Sequence, residues 1–220
     1  MFEPTLSNDD LRAFYDKLGA GQDDAAYFEA PALRKVLEHG RFKRARAVFE
    51  MGCGTGRLAR QIVERLPETA TYTGVDLSKT MVALSREKLE PFGERAHVHQ
   101  TDGALSFDLF DGEVDRFVAT YVLDLLPETA IRQVIAEAYR VLEPGGLLCL
   151  TSLSYSTLPL ARLRMGMWQL GYRLNPRWFG GCRPLQLLEY LPQVQWRTSF
   201  HATVVPYATP SEIVVARKLV

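Results

Sequence analysis

The run Val48-Phe49-Glu50-Met51 passes directly into Gly52-Cys53-Gly54-Thr55-Gly56 and then into Arg57-Leu58-Ala59. Few folds accept an apolar strand that turns through three alternating glycines into a helix. Glycine permits positive φ in a tight turn and lets peptide N–H groups and a helix N-terminus come close to a bound molecule. The segment therefore reads as the first strand-turn-helix unit of a parallel α/β sheet with its ligand at the strand's carboxyl end.

The downstream pattern repeats that unit. After the helix carrying Leu58, Ala59, Ile62, Val63 and Leu66, which Pro67 ends, a second strand runs from Ala70 to Val75 and Asp76. A helix through Met81, Val82, Leu84, Ser85 and Leu89 follows, capped by Ser78. A third strand covers Ala96 to Thr101, and a fourth covers Arg116 to Tyr121. The next helix, with Ile131, Val134, Ile135, Ala138, Val141 and Leu142 on one face, is stopped by Pro144-Gly145-Gly146. Leu147 to Thr151 is apolar throughout, as a parallel strand covered on both faces should be. Trp196 to Tyr207 and Ile213 to Arg217, joined through Pro210, read as an antiparallel hairpin at one sheet edge. Two short helices, Asp9 to Leu18 and Ala32 to His39, precede the core. The expected organisation is one domain over 1–220: an N-terminal helical segment (1–44), a ligand-binding core (45–152), a further segment (153–190) and the edge hairpin (191–220).

At 220 residues the chain suits one such domain. Lys plus Arg and Asp plus Glu are 26 each, so no net field favours nucleic acid, and none is expected as a partner. Met1-Phe2-Glu3-Pro4 begins no secretory signal and no stretch of about 18 apolar residues occurs, which gives a cytoplasmic expectation. Cys53, Cys149 and Cys182 lack the spacing of a disulfide framework or zinc site and read as reduced thiols. His97 and His99 alternate on one strand without an evident third ligand, so no metal is expected.

Asp76, about twenty residues past Gly56 at the end of the second strand, is placed to accept both hydroxyls of a ribose. Loop and acid together describe an adenosine-containing ligand. Gly54-Thr55-Gly56-Arg57-Leu58-Ala59 also fits a dinucleotide fingerprint, which keeps a nicotinamide-dependent oxidoreductase as an alternative. Glu50 and Asp102, at the ends of the first and third strands, favour a different ligand. Carboxylates repel a diphosphate and welcome the ammonium and sulfonium of S-adenosylmethionine.

Glu50-Met51-Gly52-Cys53-Gly54-Thr55-Gly56, Val75-Asp76-Leu77-Ser78, Thr101-Asp102-Gly103 and Val141-Leu142-Glu143-Pro144-Gly145-Gly146-Leu147 resemble, in order and spacing, the class I S-adenosylmethionine-dependent methyltransferases. The likeness spans about Ala45 to Ser152 and leans to the small-molecule branch that includes quinone-ring enzymes. It implies a Rossmann-like, seven-stranded, mostly parallel sheet of order 3-2-1-4-5-7-6 with helices on both faces. It also implies S-adenosylmethionine as cofactor. Glu50 and the loop from Gly52 through Cys53 and Gly54 to Gly56 would hold the methionine end, Asp76 the ribose, and Leu77 the adenine face. Asp102 would accept from the adenine amino group, with Thr101, Gly103 and Ala104 lining that pocket and Tyr121 beside the sulfonium.

Methyl transfer from a sulfonium needs alignment and desolvation more than an acid, so the catalytic candidates are few: Tyr121, and Asp124 either as base or as turn cap. Thr120-Tyr121-Val122-Leu123-Asp124-Leu125-Leu126-Pro127 lacks the Asn/Asp-Pro-Pro-aromatic box of enzymes that methylate nucleobase or amide nitrogens. A small, partly hydrophobic acceptor remains. Between Pro144 and Leu188 there is no Asp, Glu or Lys, while Arg162, Arg164, Arg173, Arg177 and Arg183 stand among Met165, Met167, Trp168, Tyr172, Trp178 and Phe179. The resemblance implies an acceptor-recognising cover after the fifth strand, and this segment (153–190) takes that place, with Arg162, Arg164 and Trp168 expected to contact the acceptor. Peripheral contact with an anionic membrane, or a helix with solvated arginines, are its other readings. A non-catalytic S-adenosylmethionine-binding module also stays open, as do the oligomeric state and the acceptor atom.

Overall fold

The computed structural model describes residues 5–220, so the reading at Met1 to Pro4 lies outside the described residues. Seven strands form one sheet: β1 (Ala47–Met51), β2 (Thr71–Asp76), β3 (Ala96–Gln100), β4 (Val114–Thr120), β5 (Leu142–Leu153), β6 (Trp196–Val204) and β7 (Ser211–Lys218). Their order is β3-β2-β1-β4-β5-β7-β6. The first five are parallel, and β7 runs antiparallel to both β5 and β6. The sheet order matches the expectation, including the edge hairpin.

Alternation along each strand builds two cores. Val48, Val118, Cys149 and Val215 face one side, under α2 (Ala26–His39), α3 (Arg57–Val63) and α4 (Lys79–Leu89). Phe49, Phe117, Leu148 and Val214 face the other, where α5 (Glu128–Val141) lays Ile131, Val134, Ile135 and Ala138 against them. Each fully buried aliphatic or aromatic side chain contributes about 1.5–3 kcal/mol, so these paired faces supply most of the drive to fold. Ser78 caps α4 by accepting from the Met81 N–H at 3.1 Å.

Some boundaries differ from the expectation. α3 ends at Val63, short of Pro67. β5 begins at Leu142, before Pro144-Gly145-Gly146, because Leu142 pairs with Val114 across a register shift in β4 before the regular ladder resumes at Leu147. α2 starts six residues earlier than read and carries Pro31 inside it. α1 (Asn8–Leu18) packs on α4, and Gly19–Ala25 between α1 and α2 forms a 3₁₀ stretch. The Arg-rich segment contains α6 (Pro159–Leu174). No helix of the described residues is long and apolar enough to cross a membrane.

Candidate functional site

One cavity opens at the carboxyl ends of β1, β2 and β4, where the strand order reverses between β1 and β4. The glycine turn forms its floor. Gly52 and Gly54 line the cavity at φ 71° and 54°. A Cβ at Gly54 would meet no protein atom within 4 Å, so the space in front of it is open to the cavity. Gly56 has a different duty. It does not line the cavity, and a Cβ there would lie 2.8 Å from Ser85 Cα, so its absence lets α3 approach α4.

Asp76 closes β2 with both oxygens directed at the turn. Oδ2 accepts from the Gly54 N–H at 2.9 Å and Oδ1 from the Ser78 N–H at 2.9 Å. Burial outweighs these bonds and holds its carboxyl above the usual range. Glu50, 1% exposed, is pushed up to about 7 by burial, against a 2.5 Å hydrogen bond from the Tyr72 hydroxyl and with the help of neighbouring Asp76. Cys53 lines the cavity as a buried thiol raised well above its ordinary pKa, chiefly by burial. Leu77, Thr101, Gly103 and Ala104 line the cavity. Asp102 is exposed and does not line it, its Oδ1 accepting from the Ala104 N–H at 2.8 Å in a turn.

The walls above the sheet come from the N-terminal elements. Asn8, Leu11 and Tyr15 of α1, Gln22 and Asp23 of the 3₁₀ stretch, and Glu29 and Leu33 of α2 all line the cavity. Three polar anchors hold them down. Asp16 Oδ1 accepts from Ser78 Oγ at 2.6 Å and from the Thr80 N–H at 3.1 Å. Asp23 accepts from Thr55 Oγ1 at 2.6 Å and from Lys88 Nζ at 2.8 Å, bonds that hold its carboxyl below the usual range although burial acts the other way. Glu29 accepts from Arg57 Nη2 at 2.5 Å, yet burial carries it up to about 7.

Two expectations change place. The pocket is covered by α1, the 3₁₀ stretch and α2, whereas Arg162, Arg164 and Trp168 lie outside its lining. Arg164 Nη1 donates to the Tyr207 carbonyl and Trp168 Nε1 to the Cys182 carbonyl, so α6 is tied to the chain that follows it instead of to the cavity. Asp124 also stands outside the lining. Fully buried and pushed up to about 7 by burial, it accepts from the Leu153 N–H at 3.3 Å, and its Oδ1 has no hydrogen-bond partner among the described residues. Tyr121 does line the cavity, at φ 55°, with its hydroxyl donating to Ser211 Oγ at 2.9 Å. His97 and His99 stack at 6.4 Å on the exposed side of β3, and no group of three or more potential metal ligands occurs among the described residues.

Glu29 and Arg57 escaped the sequence reading, although one signal was present. Glu29, Leu33 and Val36 share the buried stripe of α2 at helical spacing, and a carboxylate in such a stripe requires a partner.

The site's own chemistry suits a cationic, adenosine-bearing group: the buried carboxylates of Glu29 and Glu50, the partly buried Asp76 at the turn, and a backbone approach left open at Gly54. Comparison with known proteins agrees. Residues 48–146 match the family model for a methyltransferase domain. Carboxy-S-adenosyl-L-methionine synthase from Chromohalobacter salexigens is 37% identical over 113 residues, covering 47% of this chain and 38% of that protein. Demethylmenaquinone methyltransferase from Lysinibacillus sphaericus is 27% identical over 126 residues, covering 56% and 51%. The chain thus spans about half or less of the length of these relatives. Among solved structures, an O-methyltransferase family protein from Burkholderia thailandensis superimposes with a TM-score of 0.69 at 18% identity, over 90% of this chain and 58% of that one. That likeness concerns the fold.

Proposed function

We propose that the chain, whose residues 48–146 match a methyltransferase domain, is a class I S-adenosylmethionine-dependent methyltransferase that transfers a methyl group to a small, partly hydrophobic acceptor by in-line displacement. The observation that carries this reading is the convergence on one cavity of Glu29 and Glu50, both buried, and the partly buried Asp76, each with its carboxyl raised by burial. Ionised carboxylates in a dry pocket repel one another. An ammonium and a sulfonium offset that cost, whereas a dinucleotide's diphosphate adds to it, which disfavours a nicotinamide-dependent oxidoreductase.

When bound, S-adenosylmethionine supplies an electrophilic methyl whose neutral thioether leaving group needs no acid. Glu50 and the turn from Gly52 to Gly54 would hold the methionine end, and Asp76 the ribose hydroxyls through the lone pairs its backbone bonds leave open. Leu77, Thr101, Gly103 and Ala104 would enclose the adenine, with Asp102 at the rim. Leu11, Leu33, Leu125 and Leu126 give the remaining lining an apolar character that suits a hydrophobic acceptor and excludes water. Tyr121 serves as a wall that aligns the acceptor, its hydroxyl held by Ser211. Glu29, near neutrality and facing the cavity, accepts the proton of a hydroxyl-bearing acceptor. Asp124, beneath the lining, acts as a positioning residue for the turn after β4.

A screen of small phenolic, quinol and carboxylate acceptors with isotopically labelled methyl donor tests this. The expected result is label in a small organic product, formed in step with S-adenosylhomocysteine, with Glu29→Gln lowering kcat more than it raises the KM for donor. Donor binding without turnover on any acceptor would favour the non-catalytic module, and label found only in nucleic acid or protein would refute the small-molecule reading.

A further inference from the structure

α6 presents an apolar stripe to solvent. Leu160, Leu163, Met167, Leu170 and Leu174 recur at spacings of three and four, so they share one face, and each is 63–71% exposed. The opposite face is the one used for packing, through Ala161, Met165 and Tyr172. Trp178, 66% exposed, extends the apolar surface beyond the helix. Soluble monomers rarely leave a contiguous stripe of this kind uncovered.

The charges beside the stripe identify what covers it. At 100° per residue, Arg164 falls on one flank and Arg162 and Arg173 on the other, and the segment from Pro144 to Leu188 contains no carboxylate to pair with them. Arg177 is engaged by Asp10 at 2.6 Å and is not counted. A second copy of α6 would set guanidinium groups against guanidinium groups along both flanks, with no opposing acid in either segment. A surface of lipid headgroups has the complementary character: anionic phosphates for the arginines and acyl chains for the leucines, with the arginine stems extended toward the headgroups. The 16-residue helix is too short to span a bilayer, so against a membrane it would lie in the interface plane.

We propose that α6 is an interfacial helix that docks this protein on anionic phospholipid membranes, its Leu160–Leu174 stripe inserted and Arg162, Arg164 and Arg173 at the headgroups. The same surface leads to the cavity. Arg164 bonds the carbonyl of exposed Tyr207, whose ring meets exposed Tyr27 at 5.4 Å. The neighbouring Phe28 packs at 6.2 Å on Tyr121 in the cavity wall. A lipid-borne acceptor would thus find the cavity beside the docked helix. Docking itself needs nothing from the proposed chemistry and is measured as binding.

The test is co-flotation of the full chain with vesicles of phosphatidylcholine alone or mixed with phosphatidylglycerol. Three arginines at about fivefold each predict an on-the-order-of 100-fold preference for the anionic vesicles at low salt, falling as salt is added. Leu163→Glu with Met167→Glu should abolish binding. Arg162→Ala with Arg164→Ala and Arg173→Ala should reduce it to the phosphatidylcholine level. Circular dichroism and the thermal shift on adding S-adenosylmethionine verify that both variants are folded. Equal binding to the two vesicle types, or no binding by the folded wild-type chain, overturns the proposal. So does a concentration-dependent dimer in light scattering that the Leu163→Glu, Met167→Glu variant disperses, since a second copy would then be the occupant.

Discussion

Replacing Glu50 by Gln separates a carboxylate kept for a ligand from one kept for the fold. Glu50 is almost fully buried and bonded to the Tyr72 hydroxyl, and it titrates at about 7 because burial and Asp76 disfavour its charge. A cationic ligand binds the ionised form. That form falls from about one half of the free protein at pH 7 to about one thirtieth at pH 5.5, so affinity for S-adenosylmethionine should weaken about 16-fold, or about 1.6 kcal/mol. The window lies below the pKa of the ligand's own amino group, about 7.7–8, which therefore stays protonated throughout. Calorimetric titrations of wild type and Glu50→Gln at pH 7, 6.5, 6 and 5.5 measure the effect. The variant should bind more weakly at pH 7, by about 1.5–3 kcal/mol for a hydrogen bond to a charged group, and should lose most of the pH slope. A wild-type affinity that is flat across this range, or a variant that keeps the full slope, would show that Glu50 does not hold the ligand's charge.

Asp76→Ala should weaken cofactor binding by about 1.5–3 kcal/mol or more, because the turn loses its bond to the Gly54 N–H along with the ribose acceptor; unchanged calorimetric affinity in the folded variant would contradict the assignment. Gly54→Val and Gly56→Ala should divide their effects: the first abolishes binding with a modest fall in Tm, and the second lowers stability by about 1–3 kcal/mol because its Cβ strikes α4. Comparable stability losses with normal binding in both would go against that division. The ligand-free protein should lose stability as pH rises from about 4.5 to 7, since Glu29, Glu50 and Asp124 hold protons in the native state that the unfolded chain has already released; denaturant midpoints across that range test the sign.

The strand-turn-helix unit at Val48 to Ala59 was legible because every local signal agreed: apolar strand, glycines where the turn needs positive φ, then helical spacing. Leu142 to Gly146 was harder, because Pro-Gly-Gly reads as a helix stop and does not reveal that the chain is already pairing with β4. The cover over the cavity was misplaced for a physical reason. Asp16 reaches Ser78, Asp23 reaches Lys88, and Glu29 reaches Arg57 across long stretches of chain, and such pairings leave little trace in local periodicity. Composition singled out the Arg-rich segment correctly as unusual. Whether the stripe of α6 faced the pocket or solvent depended on how the helix docks, which the sequence alone does not encode visibly.

An acid-lined cavity of this kind should take a cationic adenosine ligand and no dinucleotide. Parallel calorimetric titration of the wild-type chain with S-adenosylmethionine and with nicotinamide adenine dinucleotide tests it most directly. S-adenosylmethionine should bind one-to-one, more weakly in Asp76→Ala and in Glu50→Gln, and the dinucleotide should show no measurable binding. Preferential binding of the dinucleotide, or S-adenosylmethionine binding indifferent to both substitutions, would contradict it.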